Sequence, residues 1–352
     1  MSESDLLPHP VSLNLSHETL EREYVNVTFD RIADPRWHFR LNLHRDTRVA
    51  TSEPTPPTAE QPFQSLALFQ RRQPVADLEI FGLHLPAEID PGDWLDLWLE
   101  QHQLKTVSSK PTLTPSGLLG DCVCTWDTPQ GPFAGRFSAL RWSDRIFLLS
   151  LRTPRESYAA IADDYFAALG SFRPLEPEPD RPAEPLQSAS ITTPVAATVT
   201  LPASYTLQLN FSEPQITAFT ADQQAIPAMP DDPAFGKLTL LLADHALADH
   251  PSKAAGLYLA PLLDNPITLH GDEFEQLDSA PPPFGQAWRL TASATFSPPD
   301  GQPVACELRC LVLWHDNAWF VAGVLGPTRH AAPIAWMRNK RALEIVTAGV
   351  IF

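Results

Sequence analysis

The sequence lacks the motifs on which most enzyme families depend. It has only 15 glycines in 352 residues, and it contains neither a phosphate-binding loop nor a dinucleotide-binding glycine fingerprint. It also contains no Gly-x-Ser-x-Gly nucleophile motif and no His-Glu-x-x-His zinc motif. We therefore assign no catalytic residue, expect no cofactor, and predict that the protein is not an enzyme.

Positive charge is scarce as well. The 25 Lys and Arg residues stand against 42 Asp and Glu, which gives a formal net charge of −17 at pH 7. Phosphate backbones and anionic lipids repel such a surface, so we expect no nucleic-acid partner. The first residues, MSESDLLPHP, lack a secretory-signal pattern, and no apolar run approaches the about 20 residues of a membrane helix. The expectation is a cytoplasmic protein without membrane insertion.

Cysteine occurs only as two local pairs, Cys122 with Cys124 and Cys306 with Cys310. On a strand, each pair points to one face. One interpretation is a zinc site built across the two halves of the chain, but the Cys-x-x-Cys spacing of such sites is absent. Small buried side chains in a reducing cytosol are the favoured interpretation, and no metal ligand is assigned.

Proline, in contrast, is abundant, with 37 residues. The segment RPLEPEPDRPAEPLQ, residues 173–187, has prolines at near-regular spacing and predicts a stiff, extended connector. We predict a first domain at 1–172, a linker at 173–197 and a second domain at 198–352.

Both sides of this connector repeat a short phrase. TWDTPQG (125–131) precedes RWSDRIF, and TFSPPDG (295–301) precedes LWHDNAWF, so we interpret Trp142 and Trp314 as equivalent. The same order of strand, Pro-rich loop, helix, hairpin, strand and helix predicts two tandem copies. Each copy is expected to be an α+β domain, with an antiparallel sheet and helices packed on one face, and the two copies to pack as a pseudo-dimer.

Local signals predict where the helices begin. Asp90 and Pro91 are an N-cap and a first helical residue. Thr153 to Glu156 is a capping box for a helix that Gly170 ends. In the second half, Pro251 opens a helix that bends or ends near Pro261, and Pro327 or Pro333 opens the last one.

This element order resembles the DcrB/PsbP-like domain. The resemblance rests on residues 35–37, the helix at Asp90-Pro91 and the run from Trp126 through Trp142 to Leu169, with residues 202–211 and 295–346 in the second half. Members of that family are mostly binding and assembly factors. Its cytoplasmic Eag chaperones of type VI secretion act as dimers that hold apolar helices of secreted effectors on a concave sheet. The resemblance implies that two fused copies supply such a cradle.

Apolar residues are more numerous than one buried face requires. The helix after Asp90 is apolar almost all round, and the strands near both hairpins are apolar on both faces. The excess indicates either an interface between the halves or a surface for a client. The predicted client-binding residues are Trp94, Trp98, Trp126, Trp288, Phe296, Leu308 and Trp314.

These observations favour a non-enzymatic cytoplasmic adaptor or chaperone that binds an apolar helical segment of a protein client, such as a secreted effector. One alternative is a metal-dependent hydrolase that uses Asp244-His245 and Asp249-His250, although Asp there also suits a helix N-cap. Another is a structural assembly subunit with a flat contact surface and a stable oligomeric state.

Overall fold

The computed structural model describes residues 7–50, 54–58, 60–176, 181–225, 236–263, 267–297 and 302–352. The chain divides into two compact units, Met1–Ala183 and Glu184–Phe352. The range 173–197, predicted as a linker, contains a short strand before this division, Arg173–Pro174, and a strand after it, Leu186–Ile191.

The first unit combines helices with antiparallel strands. Its helices are α1 (His17–Glu23), α2 (Pro91–Gln101) and α3 (Tyr158–Ser171). Its strands are β1 (Tyr24–Phe29), β2 (Phe39–His44), β3 (Thr47–Val49), β4 (Phe63–Arg72), β5 (Val75–His84), β6 (Lys105–Ser109), β7 (Thr112–Thr114), β8 (Gly117–Thr128), β9 (Gly131–Trp142), β10 (Arg145–Pro154) and β11 (Arg173–Pro174).

The second unit has a similar set of elements. Its helices are α4 (Pro251–Leu263) and α5 (Pro333–Ala348). Its strands are β12 (Leu186–Ile191), β13 (Ala197–Pro202), β14 (Tyr205–Glu213), β15 (Ile216–Gln223), β16 (Lys237–Asp244), β17 (Ile267–Gln276), β18 (Gln286–Phe296), β19 (Val304–His315) and β20 (Ala318–Pro327).

The main sheets of the two units have the same strand order. The order is β3-β4-β5-β10-β9-β8-β6 in the first unit and β14-β15-β16-β20-β19-β18-β17 in the second. In each, a helix follows the third strand, the chain returns from the far edge of the sheet, and a helix follows the last strand. A smaller antiparallel pairing precedes each sheet, β1 with β2 and β12 with β13. The predicted α+β class with antiparallel sheets is confirmed.

The prediction that helices pack on one face only is wrong. In the first unit, α3 packs on one face with Leu149, while Trp98 of α2 packs on the other face against Phe137. In the second unit, α5 shares a core with Leu240 and Leu242, and α4 packs with Leu241 on the opposite face. The central strands are buried at successive positions, so both of their faces need cover.

Most predicted helix starts are confirmed, and one is wrong. Helices begin at Pro91, Pro251 and Pro333 as predicted. The capping box at Thr153 does not form, because the Thr153 hydroxyl donates to the carbonyl oxygen of Val75 at 2.6 Å. That helix begins at Tyr158 after a 3-10 turn and continues through Ser171, one residue past the predicted end.

The predicted equivalence of Trp142 and Trp314 is also wrong. Trp142 pairs with Arg145 beside its turn and faces α3, in the core on that side of the sheet. Trp314 lies one pair further from its turn, opposite Trp319, and faces α4. A shift of one residue moves a strand side chain to the other face. The second copy of the repeated turn, residues 298–301, lies outside the described residues.

Candidate functional site

Helix α2 lies close to the sheet because of its N-terminus and two glycines. The Asp90 carboxylate accepts hydrogen bonds from the backbone N–H groups of Gly92 (2.8 Å) and Asp93 (3.2 Å), which caps the helix. A Cβ atom at Gly120 of β8 would lie 2.9 Å from the backbone nitrogen of Gly92. This close approach carries Trp94 and Trp98 to the sheet surface.

Six aromatic side chains form a continuous row along this surface, which we call the aromatic row. Its members, in spatial order, are Phe81, Phe63, Trp98, Phe137, Trp126 and Phe133. Neighbouring ring centroids are 5.0 to 6.5 Å apart, within the range of favourable aromatic contacts. Phe137 is fully buried, and the other five are half-buried.

The row ends at a groove of about 500 Å³, which we call the Trp126 groove. Trp126, Phe133, Pro132 and Leu104 form its apolar part. Its other lining residues are His102, Gln103, Lys105, Thr125, Asp127 and Arg155. The His102 ring joins the groove to α2, since it stacks on Trp98 with centroids 4.0 Å apart.

The chemistry of the Trp126 groove suits an amphipathic ligand. Its aromatic floor can bury apolar side chains, while Lys105 and Arg155 place positive charge at its edge against the single carboxylate of Asp127. Such a local balance is unusual in a chain of net charge −17. Apolar contact surrounded by charge is typical of protein-binding surfaces.

The corresponding face of the second unit bears a smaller aromatic cluster. Trp319 lies between Trp288 (5.6 Å) and Trp314 (4.6 Å), and its indole N–H donates to the carbonyl oxygen of Ala248 at 2.6 Å. Trp319 is buried, whereas Trp288 and Trp314 are half-buried. Much of this cluster therefore serves the core under α4.

The predicted client-binding residues divide between these two surfaces. Trp98 and Trp126 are in the aromatic row, and Trp94 is buried beside it, with its ring 6.3 Å from Phe63. Trp288, Trp314 and half-buried Phe296 share the α4 face, where Leu308 is fully buried. Five further aromatic residues of these surfaces were not predicted from the sequence: Phe63, Phe81, Phe133, Phe137 and Trp319. The alternation of apolar residues within their strands could have placed these side chains on these faces of the two sheets.

The residues proposed for a hydrolase do not come together. Asp244 accepts from the backbone N–H of Ala246 at 2.7 Å, and Asp249 pairs with Lys253 at 2.7 Å. His245 packs against Trp314, and His250 contacts the hydroxyl of Ser252. In the part of the chain that the structure describes, no group of three or more His, Cys, Asp or Glu side chains is placed to hold a metal ion.

All four cysteines are buried free thiols. Burial raises the pKa of Cys122 to about 11 and that of Cys124 to about 12. It also raises the pKa of Cys306 and of Cys310. These thiols stay protonated at neutral pH, which disfavours nucleophilic chemistry.

We therefore expect the native protein to react slowly with a thiol reagent. Ellman's reagent at pH 8 should label the folded chain far more slowly than the urea-denatured chain, in which all four thiols react at once, because only exposed thiolate is reactive. Rapid labelling of the folded chain would contradict the burial of these side chains.

No described helix has the length and apolar composition needed to cross a membrane. No protein-family model and no curated relative matches the sequence.

Several solved structures match parts or most of this chain at low identity. A protein from Bacteroides thetaiotaomicron has 10% identity and a TM-score of 0.30 over 49% of this chain, and the match spans only 54% of that protein. PsbP from the cyanobacterium Synechocystis has 10% identity and a TM-score of 0.28, over 51% of this chain and 99% of its own. The T6SS immunity protein TplEi from Pseudomonas aeruginosa has 11% identity and a TM-score of 0.21, over 93% and 96%.

Proposed function

We propose that the protein is a non-enzymatic adaptor or chaperone that binds an apolar, helical segment of a protein client in the Trp126 groove. The observation that carries this proposal is the aromatic row, whose half-buried rings lead into a groove with cations at its edge. Half-buried Trp and Phe side chains that already touch one another lose little conformational freedom on binding, which favours affinity.

The occupant is an amphipathic helix with acidic residues beside its apolar face. A helix presents residues at i, i+3, i+4 and i+7 to a groove. The ring centroids of Trp126 and Phe133 are 6.0 Å apart, close to the rise of about 5.4 Å for one helical turn. Acidic residues of the client would lie near Lys105 and Arg155, where charge complementarity sets orientation and speeds association.

The two units are, in this proposal, copies of one DcrB/PsbP-like domain. Their common strand order and helix positions support this idea. A relation to the Eag chaperones would make the client a secreted effector of a type VI system and would place the complex in the cytoplasm. Among the proposed client-binding residues, Trp126 is expected to contribute most to the binding affinity.

Truncation of Trp126 should remove most of the binding. The probe is a labelled 18-residue peptide of leucine and glutamate, patterned so that leucine lies on one helical face, and binding is followed by fluorescence anisotropy. Loss of a central aromatic anchor costs about 2 kcal/mol, so Trp126→Ala should weaken binding about 30-fold. The part of the affinity that Trp126→Ala removes should be smaller for a peptide with lysine in place of glutamate, although the acidic chain attracts such a peptide elsewhere.

Phe211→Ala is the matched control, because Phe211 is a partly exposed aromatic of the second unit outside this groove. It should leave the affinity unchanged. Equal affinities for wild type and a folded Trp126→Ala variant would contradict the proposal. If the peptide does not bind and light scattering shows a stable oligomer, the assembly-subunit alternative gains support.

A further inference from the structure

One sheet face is covered differently in the two units. In the first unit, the face of β6, β8 and β9 that bears α3 carries the buried carboxylate of Asp121. Residues 7–10 lie over it, with the side chains of Leu7 and His9 buried. The His9 ring lies 2.9 Å from the Ser108 hydroxyl and 3.3 Å from Asp121. The first unit thus covers this face with a segment of its own chain.

In the second unit the matching face, on β17, β18 and β19, holds an open groove of about 600 Å³, which we call the β17 groove. Polar side chains of β18 and β19 face it in opposed pairs, Thr291 with Arg309 and Ser293 with Glu307. Ser293 is exposed. In the first unit, the short strand β7 pairs with the end of β8. Among the described residues of the second unit, no short strand pairs with β18 in this way.

The far wall of the β17 groove is fixed by a side-chain network. One oxygen of the Glu307 carboxylate accepts from the indole N–H of Trp336 at 2.6 Å and lies 2.6 Å from Nε of Arg309. The Arg309 guanidinium stacks on the Trp336 ring at 4.3 Å. These contacts hold a carboxylate at a set position before any ligand arrives, which lowers the cost of ordering on binding.

The charge of the β17 groove favours a cation. Glu273 and Glu307 line it together with a single guanidinium, that of Arg309, whereas Asp272 is paired with Ala292 and faces α4. In the first unit, the segment that covers the matching face places a histidine beside a carboxylate. A Lys or Arg side chain would therefore find two carboxylate acceptors in this groove.

We propose that the β17 groove binds an extended peptide segment of a protein partner that carries a Lys or Arg side chain. Residues 7–10 provide the precedent for an extended occupant: they form no helix or strand, and Leu7 and His9, two residues apart, both turn inward. The proposal goes beyond the Trp126 groove, because the β17 groove lies in the other unit and uses none of the same residues.

The test uses a fluorescein-labelled ten-residue peptide of alternating lysine and valine with the full chain, again read by anisotropy. Glu273→Gln removes an exposed carboxylate of the groove and should lower affinity at least five-fold. Glu18→Gln removes the same charge from an exposed position of α1 and should change affinity less than two-fold. Ser293→Tyr should fill the groove and abolish binding.

Three outcomes would overturn the proposal. The first is that the wild-type protein does not bind the peptide, and the second is that Ser293→Tyr binds it with full affinity. The third is an equal loss of affinity in both charge variants, which would indicate general attraction by an acidic chain. The Trp126→Ala variant should keep wild-type affinity for this peptide. Failure at the β17 groove is thereby distinguishable from failure at the Trp126 groove.

Discussion

Asp121→Asn is expected to destabilise the first unit by about 3–5 kcal/mol, the usual cost of leaving a buried charge without its partner. The side chains of Asp121 and Arg136 are both fully buried. Nε and Nη2 of Arg136 donate to the carboxylate at 3.0 and 2.5 Å, and the hydroxyls of Ser138 and Thr112 donate at 2.8 and 2.7 Å. The neutral amide of asparagine would leave the positive charge of the buried Arg136 without a negative partner.

Hydrogen exchange of β8 and β9 peptides in the full chain measures this loss, which should appear as a fall in protection of 100-fold or more. Arg136→Met combined with Asp121→Asn removes both charges, so the double variant should be less destabilised than the sum of the single variants. A cost of Asp121→Asn below about 1 kcal/mol would contradict the role of this pair.

The same pair makes stability depend on pH. Burial alone would raise the pKa of Asp121, but hydrogen bonds from His9 and Arg136 and the charge of Arg136 hold that pKa well below its ordinary range. A depressed pKa in the folded state contributes stability above the unfolded value of about 3.9, and this contribution is lost as pH falls below it. As pH falls below about 3.9, the free energy of unfolding of the first unit should therefore decrease more in wild type than in Asp121→Asn.

Local signals explain which elements the sequence predicts well. Proline marks the starts of α2, α4 and α5, and an N-cap aspartate adds to this signal at α2, because both signals depend only on neighbours in the chain. The capping box at Thr153 fails because a distant partner, the carbonyl of Val75, takes the hydroxyl. A local motif does not reveal such a competitor.

The missed strand β17 has a different cause. It is an edge strand that is mostly exposed, with acidic residues and a bulge at Gly271, where φ is +64°. These features protect an edge from unwanted pairing, and they also remove the apolar alternation by which strands are recognised. The open face of the β17 groove was hidden from sequence analysis for the same reason.

The candidate site was predictable in part. Trp98 and Trp126 stand out because tryptophan is rare and each lies in an apolar element, whereas Phe63 and Phe81 join them only through the pairing of β4 with β5. Contacts between residues far apart in the chain follow from topology, and one sequence shows topology poorly. Two of the predicted residues, Trp98 and Trp126, lie in the aromatic row, and their role in client binding stays a prediction.

Gly135→Ala should disrupt both the first unit and its binding surface. A Cβ atom at this position of β9 would collide with the backbone carbonyl oxygen of Leu151 and lie 2.9 Å from Cη2 of the Trp126 ring. The carbonyl belongs to the central strand β10 and has little room to move, so the change should cost about 3 kcal/mol. Because the Trp126 ring must also shift, affinity for the leucine–glutamate peptide should fall at least ten-fold.

Gly256→Ala is the matched control for that result. Gly256 lies inside helix α4, and a Cβ atom added there would meet nothing within 4 Å, so alanine should stabilise the second unit by about 0.5–1 kcal/mol and leave peptide binding unchanged. Thermal unfolding and anisotropy on the same samples separate the two effects. If Gly135→Ala kept both stability and affinity, the missing side chain at Gly135 would not be required for the position of the Trp126 ring. The geometry of the aromatic row would then depend on α2 alone.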